Sequence, residues 1–485
     1  MSGSGEMHVR SIKANFVFSN VRLAMSLLLP MAVFPYVSRV LGPEGVGRVE
    51  FASSVASYFV MLAALGIPAY GIREVARLRD DPERLSAAVS GMTAILCATG
   101  TACLAAYIAA MNTVPAMRQD RLLFAVAAPN IILQTFSYEW FYTGIEDQAY
   151  ITRRFVLVKA AQLAAIFTLV RGAQDCAVYA AILVGMSGVS TLFNVVRLRR
   201  YVRIRARNME AGRHVRPALV VLAATAATSV YLHLDVTMVG AFCGSRAVGL
   251  YTTANKIVRI AISVVTSLGA VMAPRLANNM GSGDLAAYRR NLKRSLHFTL
   301  FLAVPCAAGI IPVADGLVRV FAGDEFAGAA RSMRLLSPVI LIVGCAHFVG
   351  FQVLYSNRRE AWYTAAVCAA AVCNFAANMA LIPRLAQDGA VVGTLVAEGV
   401  GLFVMSVLGR RLIAESRVLD WRLAGYFAAS AVMLCAMLVA GKFMTTNIFV
   451  LVPMGAAVYL ACIAAWARVC GVRVRELAGM IRRRR

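Results

Sequence analysis

The residues that could do chemistry in this chain lie on two short polar stripes. Near the start, Asn15, Ser19, Arg22 and Ser26 recur at spacings of three and four, so a helix would line them up along one side of an otherwise apolar cylinder. Further on, Thr252, Lys256, Arg259, Ser263 and Ser267 repeat that spacing, with Thr266 at the edge of the stripe. Lys159 and Gln162 stand together in a third segment, Thr225, Thr228 and Asp235 share one side of a fourth, and Glu398 is a lone carboxylate between Ala397 and Gly399. Arginine offers forked donors and lysine a point charge. In a low-dielectric setting such a set suits an anionic ligand, pyrophosphate above all.

Each of these residues also has a plainer reading. Arg22, about two turns in from the end of its run, either lines a wet lumen or snorkels to the headgroups, and the same holds for Lys256 and Arg259. Lys159 faces the lumen or pairs with a helix C-terminus. Asp235 either neutralises Lys256 or Arg259 or takes up a proton in a dry setting, and Glu398 is a second candidate for ion coupling. Glu139 and Trp140 read as interfacial anchors, and His233 and His347, without partner ligands, as packing residues. No metal site is expected, because the eleven cysteines show no Cys-x-x-Cys or Cys/His spacing and behave as small hydrophobes. No nucleophile, base and acid stand together in a recognisable arrangement, so catalysis is not expected.

The elements that must hold these residues follow from composition. The chain has 485 residues, 60% of them hydrophobic and 15% charged, with a mean hydropathy of +0.70. About 20 apolar residues span the hydrocarbon, and fourteen such runs fall near 14–37, 48–71, 86–110, 121–143, 154–171, 176–196, 217–243, 254–274, 295–320, 333–356, 360–383, 388–409, 423–441 and 446–468. The expected fold is therefore all-α: a polytopic membrane protein with 14 transmembrane helices. With the N-terminus inside, the inward segments hold 34 Lys and Arg residues and the outward ones 10, in strict alternation, which puts both termini in the cytoplasm. A formal charge of +25 would suggest a nucleic-acid partner in a soluble protein. Here the charge is distributed as membrane topology requires, and no nucleic acid is expected. The first run carries Arg22 and lacks a small-x-small cleavage site, so it is retained. There is no Walker sequence, which speaks against ATP as a direct energy source.

An internal repeat is visible. Leu41–Ser53 (LGPEGVGRVEFAS) matches Phe242–Asn255 (FCGSRAVGLYTTAN), with Gly42, Val46, Gly47 and Ala52 lying 202 residues before Gly244, Val248, Gly249 and Ala254. A weaker echo pairs Arg121-Leu122-Leu123 with Arg334-Leu335-Leu336. Six runs separate the copies, so the repeats run in the same direction. The basic segment 197–216 falls between them as a linker. The partition read from this is 1–205 for an N-terminal six-helix bundle, 206–412 for a C-terminal six-helix bundle, and 413–485 for two additional helices and a basic tail.

Three segments resemble a known family. Phe34–Asp81 contains P-Y-x-S-R-x-L-G-P-x-x-x-G and then Y-G-x-R-E, Glu139–Thr152 reads EWFYTGIEDQAYIT, and Asp235–Ile257 reads DVTMVGAFCGSRAVGLYTTANKI. Together they resemble the Wzx-type polysaccharide flippases of the multidrug/oligosaccharidyl-lipid/polysaccharide exporter (MOP) superfamily. The resemblance spans most of the first 280 residues and fades to hydropathy afterwards.

It implies two six-helix bundles around a V-shaped cavity with two extra C-terminal helices. It also implies a flippase that carries undecaprenyl-pyrophosphate-linked oligosaccharide from the cytoplasmic to the periplasmic leaflet of the bacterial inner membrane. The implied mechanism is alternating access, often coupled to an ion, H+ or Na+, with no other cofactor and with polysaccharide polymerase machinery as a further partner. On that reading Arg22, Lys256 and Arg259 line the cavity with Lys159, Asn15, Ser26 and Ser263, while Asp235 and Glu398 serve coupling. The competing expectations are a MATE-like multidrug or cation antiporter on the same fold, which would want carboxylates and aromatics in its site, and a membrane glycosyltransferase, which would need long acidic loops that are absent.

Overall fold

The computed structural model describes residues 12–204, 210–444 and 446–470; the side chains of 12–16, 27, 224, 225, 227–229, 270 and 271 lie outside that description. The helices are α1 (Ile12–Ala64), α2 (Ile67–Leu78), α3 (Pro82–Thr113), α4 (Pro115–Arg118), α5 (Arg121–Ala127), α6 (Pro129–Thr135), α7 (Glu139–Gly144), α8 (Gln148–Leu169), α9 (Cys176–Leu198) and α10 (Ala211–Cys243). They continue as α11 (Ser245–Gly281), α12 (Leu285–Ala322), α13 (Gly328–Leu336), α14 (Pro338–His347), α15 (Glu360–Leu385), α16 (Gln387–Leu408), α17 (Arg410–Ser416), α18 (Ala424–Phe443) and α19 (Ile448–Val469). No strand occurs among the described residues. The fold is all-α and polytopic.

All fourteen apolar runs are helical, though not all are single uninterrupted helices. Ten helices among the described residues are long and apolar enough to cross a membrane, one of them stretching over Val17–Leu78 and holding the first two runs. The fourth run is broken into α5, α6 and α7, at Pro129 and at Tyr138, whose left-handed φ of 48° turns the chain before Glu139. The fifth, α8, is less apolar because Arg153, Arg154 and Lys159 all lie within it.

The chain divides into two contact units, Met1–Gly249 and Leu250–Arg485. The boundary lies one helix beyond the linker at 197–216, because α10 packs along α1. The Ser54 hydroxyl donates to the His233 carbonyl at 3.0 Å and lies 2.7 Å from Thr237 Oγ1, and the Phe51 ring packs on the backbone of Gly240. The remaining core of this unit is aromatic and aliphatic, with Met92, Leu96, Phe141 and Tyr142 fully buried, and Tyr107 donating to the Phe124 carbonyl at 3.0 Å.

The repeat seen in the sequence reappears as backbone geometry. Gly42 breaks α1 at φ 65°, ψ 177°, and Gly244 separates α10 from α11 at φ 80°, ψ 178°. That region is essentially restricted to glycine. Pro43 follows the first break as a first-turn proline, where its missing N–H costs nothing. Five residues after each break, a glycine meets the other copy. A methyl on Gly47 would run into the Ser245 carbonyl and lie 2.8 Å from the Gly249 nitrogen, and one on Gly249 would run into the Pro43 carbonyl. Ser245 and Gly249 are the repeat mates of Pro43 and Gly47, so the contact is reciprocal.

Gly42→Ala and Gly244→Ala are each expected to lower stability by about 1–3 kcal/mol, because alanine is strained at these angles. Melting temperatures of the purified variants would show it, and unchanged values for both would contradict the assigned backbone.

In the second unit, α12, α18 and α19 pack around Leu292, Leu296, Leu300, Met433, Met437 and Leu451. The tenth run bends from α14 into a π-helical turn at Phe348–Leu354. Asp388 at the start of α16 accepts from the Ser332 hydroxyl at 2.6 Å and pairs with Arg331 at 3.1 Å, tying α13 to α16.

Candidate functional site

A cavity of about 520 Å³ opens inside the first unit, walled by α1, α5, α6, α8 and α9. Its polar wall is built from Asn130 and Gln134 on α6, Ser187, Ser190, Thr191 and Asn194 on α9, and Glu139, Arg154, Lys159 and Gln162. Local chemistry fixes this wall. Asp147 caps α8 by accepting from the Tyr150 amide at 3.2 Å and holds Arg197 of α9 at 2.7 Å. Asn194 donates to the Ser137 carbonyl at 2.5 Å and accepts from Tyr150 at 3.1 Å, so the chain entering α7 is pinned to α9.

Glu139 is the centre of a charge cluster. One carboxylate oxygen takes Arg22 of α1 at 2.6 Å and the other takes Arg154 of α8 at 2.5 Å. Two arginines therefore share one carboxylate, and the cluster keeps an excess positive charge. The Arg154 side chain is 4% exposed, and its Nε and a second guanidinium nitrogen are buried without a hydrogen-bond partner. A buried donor left unpaired costs about 1–3 kcal/mol. An anion reaching this wall would find donors already desolvated and unmatched.

Lys159 lies about one and a half turns further along α8 than Arg154. Its ammonium donates to Gln162 at 2.8 Å and stands 5.9 Å from the centre of the Phe155 ring, with no carboxylate in ion-pair reach among the described residues. A second recess of about 400 Å³, lined by Ser26, Pro30 and Tyr179, shares Phe155, Lys159 and Gln162 with the larger cavity. Lys159 thus stands at the junction of the two spaces.

The sequence-predicted residues divide between the units. In the first, Arg22, Ser26 and Lys159 gather around these cavities; the Ser26 hydroxyl is turned to the Leu23 carbonyl at 2.7 Å. Asn15 lies in α1, but its side chain is outside the described residues, as are those of Thr225 and Thr228. Asp235 is buried on α10. In the second unit, half-buried Lys256, exposed Arg259 and half-buried Ser263 follow one another along α11. Arg259 donates to Asn255 at 3.2 Å, and Ser263 donates to the Arg259 carbonyl at 2.8 Å. Glu398 is half-buried on α16.

Two readings of the sequence are corrected. Trp140 is not an interfacial anchor: it is 3% exposed and packs against Gly71. Glu139 is the shared counter-charge of two arginines, and Arg154, at the very start of the fifth apolar run by hydropathy, lies well inside α8. The signal that could have found them was the EWFYTGIEDQAYIT segment itself, which holds Glu139 and leads directly into Arg153-Arg154. His233 packs near Tyr58, with ring centres 6.1 Å apart, and His347 lies against Phe351 at 4.8 Å. No grouping able to hold a metal occurs among the described residues.

Residues 14–280 match the family described as polysaccharide biosynthesis protein, and residues 221–381 match MatE. A protein of Escherichia coli (strain K12) named for O-antigen transport is 20% identical over 413 residues, covering 83% of this chain and 98% of that protein. The lipid II flippase MurJ of Bacillus subtilis (strain 168) is 22% identical over 248 residues, 48% of this chain and 45% of that protein. Among solved structures, lipid II flippase MurJ in an inward closed conformation superposes with a TM-score of 0.76 at 10% identity, covering 94% of this chain and 99% of the other. An inward-facing MATE family multidrug resistance transporter gives 0.64 at 14% identity, with coverage of 83% and 99%. A family match over more than half of the length, with ten helices among the described residues long and apolar enough to cross a membrane, leads to one conclusion: the chain belongs to the polysaccharide biosynthesis protein family and is a multi-pass membrane protein.

Proposed function

We propose that the protein is a flippase that carries a polyprenyl-pyrophosphate-linked oligosaccharide, undecaprenyl in type, from the cytoplasmic to the periplasmic leaflet of the bacterial inner membrane. Both termini face the cytoplasm in this reading, and access alternates between the two sides. The observation that carries it is the cationic wall of the first-unit cavity. There Arg154 has unmatched buried donors and Lys159 has no carboxylate partner among the described residues. A diphosphate supplies the acceptors this wall lacks, and the adjoining polar side chains of Asn130, Gln134 and Ser187 suit sugar hydroxyls. The similarity to proteins named for O-antigen transport and lipid II flipping supports this substrate class. Lys256 and Arg259, with Ser263, are proposed as further donors for the same substrate, with Asn15 and Ser26 beside Arg22. Asp235 and Glu398 are proposed to couple transport to a proton or sodium ion, and the polysaccharide polymerase is proposed as the downstream partner.

A drug or cation antiporter on this fold is disfavoured by the same wall, since a cationic ligand would be repelled by Arg154 and Lys159. The decisive experiment is depletion in the native cell with the lipid-linked oligosaccharide assayed by leaflet. Accumulation on the cytoplasmic side is expected, and accumulation on the periplasmic side would overturn the proposal. Lys159→Ala is expected to slow export at least about tenfold, the effect of losing one charge-assisted contact, while membrane abundance stays unchanged. Export at the normal rate would remove Lys159 from the site.

A further inference from the structure

A second charged recess lies in the other unit, at the end of α12 beside α18 and α19, with a volume of about 290 Å³. Arg290, Lys293, Arg294 and His297 follow one another on α12 at helical spacing, so one face of the helix presents them together. Arg422, just before α18, adds a further guanidinium. Against the lysine and the arginines stands one carboxylate, Asp420, which holds Lys293 at 2.7 Å and lies 3.5 Å from His297. Arg290, Arg294 and Arg422 have no ion-pair partner among the described residues.

The rest of the wall is aromatic. Tyr426 shares a 3.0 Å hydrogen bond with His297, and the Trp466 indole donates to the Arg422 carbonyl at 3.2 Å. The ring of Trp421 meets that of Trp466 edge to face at 5.4 Å. Paired tryptophans beside clustered basic residues are the composition of a membrane interface, and the basic residues gathered in 275–294 and 410–422 favour the cytoplasmic face by the positive-inside rule.

One atom narrows the ligand. Oδ1 of Asp420 is buried and has no hydrogen-bond donor, although Oδ2 is engaged by Lys293. Burial pushes the Asp420 carboxyl up, but the Lys293 hydrogen bond and the nearby His297 and Arg422 outweigh it and hold the group below the usual carboxylate range. The orphaned oxygen is therefore an ionised acceptor waiting for a donor, in a recess whose other walls want an anion. A headgroup offering a phosphodiester and a free hydroxyl satisfies both at once, and its acyl chains would lie along the exposed apolar sides of α18 and α19 at Phe427, Val432 and Leu460.

We propose that this recess binds the headgroup of an anionic glycerophospholipid bearing a free hydroxyl, phosphatidylglycerol in type. The phosphate would be held by Arg290, Arg294 and Arg422, and a glycerol hydroxyl would donate to Asp420. The site is separate from the cavity of the first unit and does not depend on the transport reading.

The test uses the full-length purified protein in neutral detergent, titrated with short-chain phosphatidylglycerol, phosphatidylmethanol, phosphatidylcholine or inorganic phosphate. Native mass spectrometry and melting temperature are the readouts. Phosphatidylglycerol is expected to bind and to raise the melting temperature, and the Arg290→Gln, Arg294→Gln double variant to bind it about thirtyfold more weakly. Phosphatidylmethanol, which keeps the phosphodiester and lacks the hydroxyl, is expected to bind severalfold more weakly than phosphatidylglycerol. Equal binding of phosphatidylcholine, or undiminished binding by the double variant, would overturn the proposal. Inorganic phosphate binding as tightly as the lipid would identify a free-anion site instead, and equal affinity for phosphatidylmethanol would remove Asp420 from it. If the double variant is itself unstable, Arg422→Gln provides the same comparison from a different element.

Discussion

Glu139→Ala is expected to abolish export and to cost about 1–3 kcal/mol of stability, the scale for leaving buried donors unpaired, since the Arg154 side chain is nearly inaccessible while Glu139 is partly exposed. The substitution leaves Arg22 and nearly inaccessible Arg154 facing each other with no negative charge between them. Glu139→Gln keeps an acceptor but not the charge, and its defect should be intermediate. The informative variant is the pair Glu139→Leu with Arg154→Met. Replacing both members by apolar groups removes the buried charge of Arg154 and leaves only part-exposed Arg22 without its carboxylate, so part of the lost stability should return. Transport should stay low, because the unmatched donors of Arg154 are gone as well. Melting temperature in detergent and the leaflet assay separate these effects. Full export by the double variant would show that Arg154 is scaffolding and not part of the binding wall.

The second large effect concerns the contact between the repeated turns. Gly47→Val and Gly249→Val each place a Cβ against a peptide carbonyl, and no side-chain rotation relieves a clash made by Cβ with backbone. Overpacking of this kind costs typically about 1–3 kcal/mol. If the cycle must pass through the arrangement seen here, a penalty of about 2 kcal/mol lowers its population about thirtyfold and export with it. Gly185→Val is the control, since a methyl there would meet nothing within 4 Å. Export at equal membrane abundance is the measurement. Normal rates for both Gly47→Val and Gly249→Val would mean that this close packing is not needed for transport.

Much of the fold was legible because the bilayer imposes a length on every spanning helix, and fourteen runs of that length stand out from composition alone. The breaks at Gly42 and Gly244 were visible too, as aligned glycines in two copies of one segment. Hydropathy failed where charge is buried with its partner. A scale that scores residues singly set the start of the fifth run at 154, whereas the helix begins at Gln148 and carries Arg153 and Arg154 inside it. Arg154 is tolerated there because Glu139, fifteen positions earlier, supplies the opposite charge. Arg22 finds the same carboxylate across 117 positions, a pairing that no helical periodicity encodes. Arg22 was read as part of a polar stripe, and the carboxylate it pairs with, Glu139, was assigned to the membrane surface. The basic residues of α12 and of the segment before α18 were likewise counted for topology, and their convergence with Trp466 and Tyr426 appears only once the helices are packed.

The meeting of the two glycine turns has the form of an isologous interface. Position 47 touches 245 and position 249 touches 43, so each surface greets its own duplicate, as in a symmetric dimer of identical subunits. A seam of this kind cannot be altered on one side alone without losing its match. Each turn thus sets the room left for the other, and bulk added at position 47 or at position 249 strains the same seam from opposite sides.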